Sequence, residues 1–185
     1  MFSLVLFLFC LLLALGVGVL AGLSDIRGMV IPNAYSLIIG TSFFIAFAGL
    51  YVAGKGHVFA SLYGHLLAAG LMFAATLLMF VTRTMGAGDS KLATAFALWA
   101  GLKGLAPFLL FTALGGGVLA LAAVVLQKKK PFPAPAKGSW VARVQNGESK
   151  VPYGVAIVFG ALVAFYQIGY FSPSTLSLFF DVKSS

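Results

Sequence analysis

"FSLVLFLFCLLLALGVGVLAGL", residues 2–23, holds no charged side chain and no proline. As an α-helix it extends about 33 Å, enough for the roughly 30 Å hydrocarbon core of a bilayer. No basic stretch precedes the apolar run, so it reads as a retained helix rather than a cleaved signal peptide. Cys10 lies inside it without the small residues of a lipoprotein signal before it. A single cysteine offers no intramolecular disulfide and no zinc site.

Runs of the same kind recur along the chain. Of its 185 residues, 61% are hydrophobic and 9% charged, where an ordinary soluble domain is about one-quarter charged. The expected fold class is all-α, a polytopic membrane protein with about six transmembrane helices. The segments run from about Phe2 to Leu23, Ala34 to Ala53, Val58 to Val81, Ser90 to Leu102, Leu105 to Leu126, and Pro152 to Tyr170. The fourth is short, reaching only about 20 Å. It is expected to pack within the bundle, its ends met by water or neighbouring helices. "GLKGLAP", residues 101–107, reads as the break before the fifth. Residues 1–185 read as one membrane-embedded domain containing a basic loop over 127–150, without internal repeats.

The net charge is +8. The cations flank apolar runs, which is the positive-inside pattern and not a nucleic-acid surface. Six crossings place Arg27, Arg83, Lys91, Lys128, Lys129, Lys130, Lys137, Arg143 and Lys150 on one side, and Lys55, Lys103 and Lys183 on the other. The first side is expected to be cytoplasmic, with both termini outside. The loop over 127–150, proline-rich at its start and without apolar periodicity, is expected to be irregular and held near anionic headgroups.

Four acids remain. Glu148 and Asp181 read as solvated charges, in the basic loop and the polar tail. Asp25 and Asp89 each sit at the edge of a long apolar segment, where an acid is costly. The topology brings both to one side at one depth. Two carboxyls sharing a site do not both ionise easily. Such a pair can hold a water, take its proton and protonate a substrate carbonyl, titrating as a unit as aspartic proteases do. Asp89 opens a helix, whose N–H groups and dipole favour the anion, so it is expected to be the readier base and Asp25 the readier acid. Gly86 and Gly88 let the backbone before Asp89 bend and approach a substrate closely. In "SDIRGMVIPN", residues 24–33, Pro32 fixes an extended lead-in to the second helix, and Asn33 can contact a substrate backbone but is expected to cap that helix. An anion at the C-terminal end of the first helix, where Asp25 falls, has no such local reason.

"SDIRGMVIPN" together with "GAGDSKL" resembles the type IV prepilin peptidases, membrane aspartic proteases of the GxGD kind. "VPYGVAI", residues 151–157, matches a third family feature, a Pro-Tyr-Gly or Pro-Phe-Gly before the last helix. The resemblance implies that Asp25 and Asp89 are the catalytic pair. It also implies a prepilin or prepilin-like substrate cut after a glycine, at the end of a short basic leader, on the cytoplasmic face of a prokaryotic inner membrane. Larger members carry an insert with two CxxC pairs linked to N-methylation. Its absence here implies neither zinc site nor methyltransferase activity and likens the chain to the compact peptidases of tight-adherence (Flp-type) pili, which Arg27 also suits. No cofactor or metal is implied.

Other residues are read as site-shaping or substrate-binding. Lys91 can hold a substrate carboxylate or tune the pair, or snorkel as a topology anchor. Tyr153, between Pro152 and Gly154, can line the site or sit at the interface. His57 and His65 read as packing or interface residues. The competing functions are a small proton-coupled transporter or channel using the acid pair as a relay, and a non-catalytic scaffold. The first predicts midplane acids and two related halves with broken helices. The second predicts that both aspartates can be replaced without effect.

Overall fold

The computed structural model describes residues 1–180; Asp181 and Lys183 lie outside them. Among the described residues every regular element is helical: α1 Phe2–Gly28, α2 Asn33–Val52, α3 Leu62–Val81, α4 Ala87–Lys129, α5 Trp140–Gln145, α6 Tyr153–Gln167 and α7 Pro173–Ser177, with a 3-10 turn at Gly56–Val58. The stretches Phe2–Gly28, Asn33–Val52, Gly56–Val81 and Ala87–Lys129 are long and apolar enough to cross a membrane, and α6 is a shorter apolar helix. The chain is a polytopic membrane protein. Leu12, Leu20, Ile45, Leu78, Leu110 and Leu121 are exposed on these helices, a surface suited to lipid tails and not to water.

The expected fourth and fifth segments form one helical run of 43 residues, interrupted only at Gly101, whose φ of 60° and ψ of −175° are non-helical. A straight run would separate Asp89 from Ala120 by about 46 Å, yet both line one cavity. The chain therefore turns back at Gly101. The arm before it forms the buried centre of the bundle, with Leu92, Phe96 and Trp99 fully enclosed. The arm after it runs antiparallel to α6: Gly104 lies against Ile168, Phe108 against Gly160 and Gly116 against Tyr153. The expected break over 101–107 thus narrows to one residue, because this backbone conformation is open essentially to glycine alone. Pro107 is accommodated inside the second arm.

The break deprives the carbonyls of Leu98 and Trp99 of their helical partners. His65 Nδ1 meets the Leu98 oxygen at 2.7 Å, and the Tyr170 hydroxyl donates to the Trp99 oxygen at 2.8 Å. Because a carbonyl only accepts, Nδ1 carries the proton. His65 is a packing residue as expected, against Phe43 and Phe59, and it also caps the broken helix. His57 is exposed.

Residues 127–150 are not irregular throughout, as had been expected from their composition. α4 continues to Lys129, and Ser139 caps α5 by accepting the Ala142 N–H. Trp140 and Val144, one helical turn apart, pack on Ala123 beside Met29 and Leu126. Gln145 holds the chain before α5, its Nε2 donating to the Phe132 oxygen at 2.8 Å and its Oε1 accepting the Phe132 N–H at 3.3 Å. Two apolar residues spaced by one turn are too few to register as a period.

Candidate active site

α1 passes its expected end at Leu23 and carries Asp25 inside its last turn. Met29, in the left-handed conformation, closes the helix with its N–H on the Asp25 carbonyl. Ser24 Oγ donates to the Val30 oxygen at 2.7 Å, so this turn folds back on itself. The helix C-terminus disfavours the Asp25 carboxylate. The compensation comes from elsewhere in the chain. Asp25 Oδ2 accepts the Gly154 N–H at 2.8 Å, in the first turn of α6, where unpaired N–H groups and the helix dipole favour an anion. Pro152 is the N-cap of that helix.

Asp89 is the third residue of α4, and its Oδ2 accepts the Gly86 N–H at 3.3 Å. Its Oδ1 is buried with no hydrogen-bond partner among the described residues, which leaves that oxygen available to a water or substrate. Each carboxyl therefore sits at a helix N-terminus, Asp89 at its own and Asp25 at that of α6. The dipole argument that singled out Asp89 as the base applies equally to Asp25 and does not divide the roles.

The two aspartates line a cavity of about 1170 Å³, together with Gly86, Tyr153, Met29 and Gln127. They are near enough for the charge of Asp25 to act on Asp89. Asp25 is buried and Asp89 half-buried, while the rim residues Arg83, Thr84, Ser149 and Lys150 are exposed. Arg143 and Glu148 also line it and pair at 3.7 Å. Glu148 is solvated as expected, but it belongs to the cavity wall.

Four successive residues of α4 fix the direction of Asp89, because at 100° per residue they point around the whole helix. Gly88 lies against Ile31, where a Cβ would come 3.1 Å from the Ile31 Cβ and 3.3 Å from its carbonyl oxygen. Asp89 faces the cavity. Ser90 Oγ bonds the Thr76 hydroxyl of α3 at 2.8 Å, both side chains being buried. Lys91 Nζ donates to Asn33 Oδ1 of α2 at 2.9 Å. This last bond revises two expectations. Asn33 does not cap α2, whose N-cap is Pro32 in the extended conformation foreseen for it. Lys91 does not line the cavity and instead ties the two motif halves together. Arg27 is exposed and lies outside the cavity as well.

Ile31 is buried between Gly88 and Gly154, and a Cβ on Gly154 would stand 2.9 Å from Ile31 Cδ1 and 3.0 Å from Asp25 Oδ2. Both glycines admit this one side chain, a role invisible in a sequence where Ile31 is one apolar residue among many. Ser90, Thr76, Arg143 and Arg83 were likewise missed. Ordinary hydroxyls and loop cations carry no distinguishing spacing. Ser90→Ala is expected to lower stability by about 1 kcal/mol and cleavage by less than ten-fold, since Thr76 keeps its bond to the Met72 oxygen; thermal unfolding in detergent and a cleavage assay check this.

A family model described as the type IV leader peptidase family matches residues 4–121. The matched stretch takes in both aspartates and ends before α5 and α6. No curated protein and no solved structure matches the chain.

Proposed function

We propose, because the chain belongs to the type IV leader peptidase family, that this membrane peptidase removes the short basic leader of prepilins or prepilin-like proteins of the Flp type. The cut falls after a glycine, at the cytoplasmic face of a prokaryotic inner membrane, with both termini of the enzyme outside. Asp25 and Asp89 are the catalytic pair. One carboxylate takes a proton from a water that attacks the scissile carbonyl, and the other carboxyl protonates the carbonyl oxygen. The carbonyl carbon then gains the water oxygen, the C–N bond breaks, and the new amine leaves with a proton from the pair. No cofactor enters this scheme.

The observation that carries this reading is the meeting of Asp25 and Asp89 in one cavity, from helices far apart in sequence. The substrate's apolar helix would lie among the lipid-facing helices, with its leader at the mouth of the cavity. Gly86, Gly88, Pro152, Tyr153 and Gly154 shape the site, and Lys91, Asn33 and Pro32 position it. A proton relay would need only the acids; it leaves unexplained why Gly86 and Gly154 crowd them and why their cavity opens at a polar rim.

The test is co-expression with a small Flp-type prepilin, following loss of the leader on a gel. Intact prepilin beside a well-inserted enzyme, for every prepilin tried, would overturn the substrate assignment. Gly154→Ala is expected to insert normally and to lose about 100-fold in cleavage, because the added Cβ displaces Asp25, and a misplacement of about 1 Å costs that much. The cleavage rate per amount of membrane-inserted enzyme checks it.

A further inference from the structure

We propose that a second cavity, outside the candidate active site, binds the phosphate group of an anionic lipid headgroup. It measures about 370 Å³ and is lined by Lys130 and Lys137 with Gln145, Asn146, Gly138 and two prolines. No carboxylate lines it. The nearest loop acid, Glu148, is paired with Arg143. Among the described residues the side chains of Lys130, Lys137 and Asn146 have no hydrogen-bond or ion-pair partner, whereas the Gln145 amide is occupied by the Phe132 backbone. Two free ammonium groups and one free amide around a small cavity suit a tetrahedral anion, for which lysine serves as a point charge.

The position selects the source of that anion. Lys130 follows Leu126, the last apolar residue of α4, by one helical turn, or about 6 Å. The headgroup layer beyond the hydrocarbon core is about 5–8 Å deep, so the cavity lies at the depth of lipid phosphates. The loop is held at that height, because Trp140 and Val144 pin α5 to α4 at Ala123. Lys130 also keeps a left-handed backbone, φ 43°, at a helix end where glycine is the usual residue. Phosphate binding would fix the loop that also supplies Arg143, Glu148 and Lys150 to the active-site cavity.

The full chain in mild detergent is to be titrated with phosphatidylglycerol and, separately, phosphatidylcholine, and bound lipid counted by native mass spectrometry. The expected result is one retained phosphatidylglycerol, preferred over phosphatidylcholine. Lys130→Gln with Lys137→Gln should weaken it about twenty-five-fold, at about five-fold per lysine. Lys128→Gln with Lys129→Gln removes the same charge outside the cavity and should weaken it little. Lys130→Gly removes the cation while easing the backbone, so its loss of lipid cannot come from unfolding. A third arm adds inorganic phosphate. Displacement of lipid only at high phosphate concentration supports the headgroup, whereas tight binding of phosphate with no bound lipid keeps the chemistry and moves its source to solution. Equal loss in both double variants, or equal binding of the two lipids, would overturn the proposal.

Discussion

Asp25→Asn and Asp89→Asn are each expected to lower leader cleavage by at least about 100-fold and as much as 10,000-fold, the range spanned by a lost acid or base. The amount of protein in the membrane should stay at the wild-type level. Asparagine preserves the shape of either side chain and can still accept the N–H bonds of Gly154 and Gly86 that hold the two carboxyls. What it loses is the ability to exchange a proton. The double variant should be no worse than the poorer single one, because groups that act as a unit are not additive. Cleavage near the wild-type rate in either single variant would remove that aspartate from the mechanism. Loss of cleavage accompanied by loss of membrane-inserted protein would mean that the charge serves folding. A scaffold would tolerate both changes, which separates it from the proposed peptidase.

Gly101→Ala should act on the fold and not on the chemistry. The Gly101 backbone, φ 60° and ψ −175°, lies in a region closed to other residues at a cost of about 1–3 kcal/mol. The added Cβ would stand 2.9 Å from His65 Cε1 and 3.0 Å from its Nδ1. It therefore presses on the group that caps the Leu98 carbonyl. Thermal unfolding in detergent is expected to shift down by several degrees, with the catalytic rate of the surviving folded protein little changed, since Asp89 is more than three turns away. His65→Leu should destabilise similarly by a different route. It fills much of the space but leaves a buried carbonyl unpaired, at about 1–3 kcal/mol. An unchanged melting temperature in Gly101→Ala would show that the turn between the two arms of α4 does not depend on this glycine.

These two experiments fall on different kinds of information. Helices, their membrane character and the two acids are local matters. A run such as residues 2–23 has no partner for its backbone in lipid except itself, so composition decides that it is helical. An acid at the edge of such a run is costly wherever the rest of the chain goes, which is why Asp25 and Asp89 stood out. The family motifs are equally local, and the family match covers both aspartates.

The placement of the pair was not local. Nothing local explains an anion at the end of α1; its partner is the Gly154 N–H, contributed by a helix more than a hundred residues away. Ile31 owes its role to two glycines on two other helices, and Lys91 and Asn33 reveal theirs only by meeting each other. The single-residue turn at Gly101 needed His65 and Tyr170 to satisfy the carbonyls it exposes. Periodicity and hydropathy report which residues avoid water, and they determined the helices, their membrane setting and the candidate acids. Which buried polar group answers which depends on distances across the bundle, so the geometry of the site was decided by the tertiary structure alone.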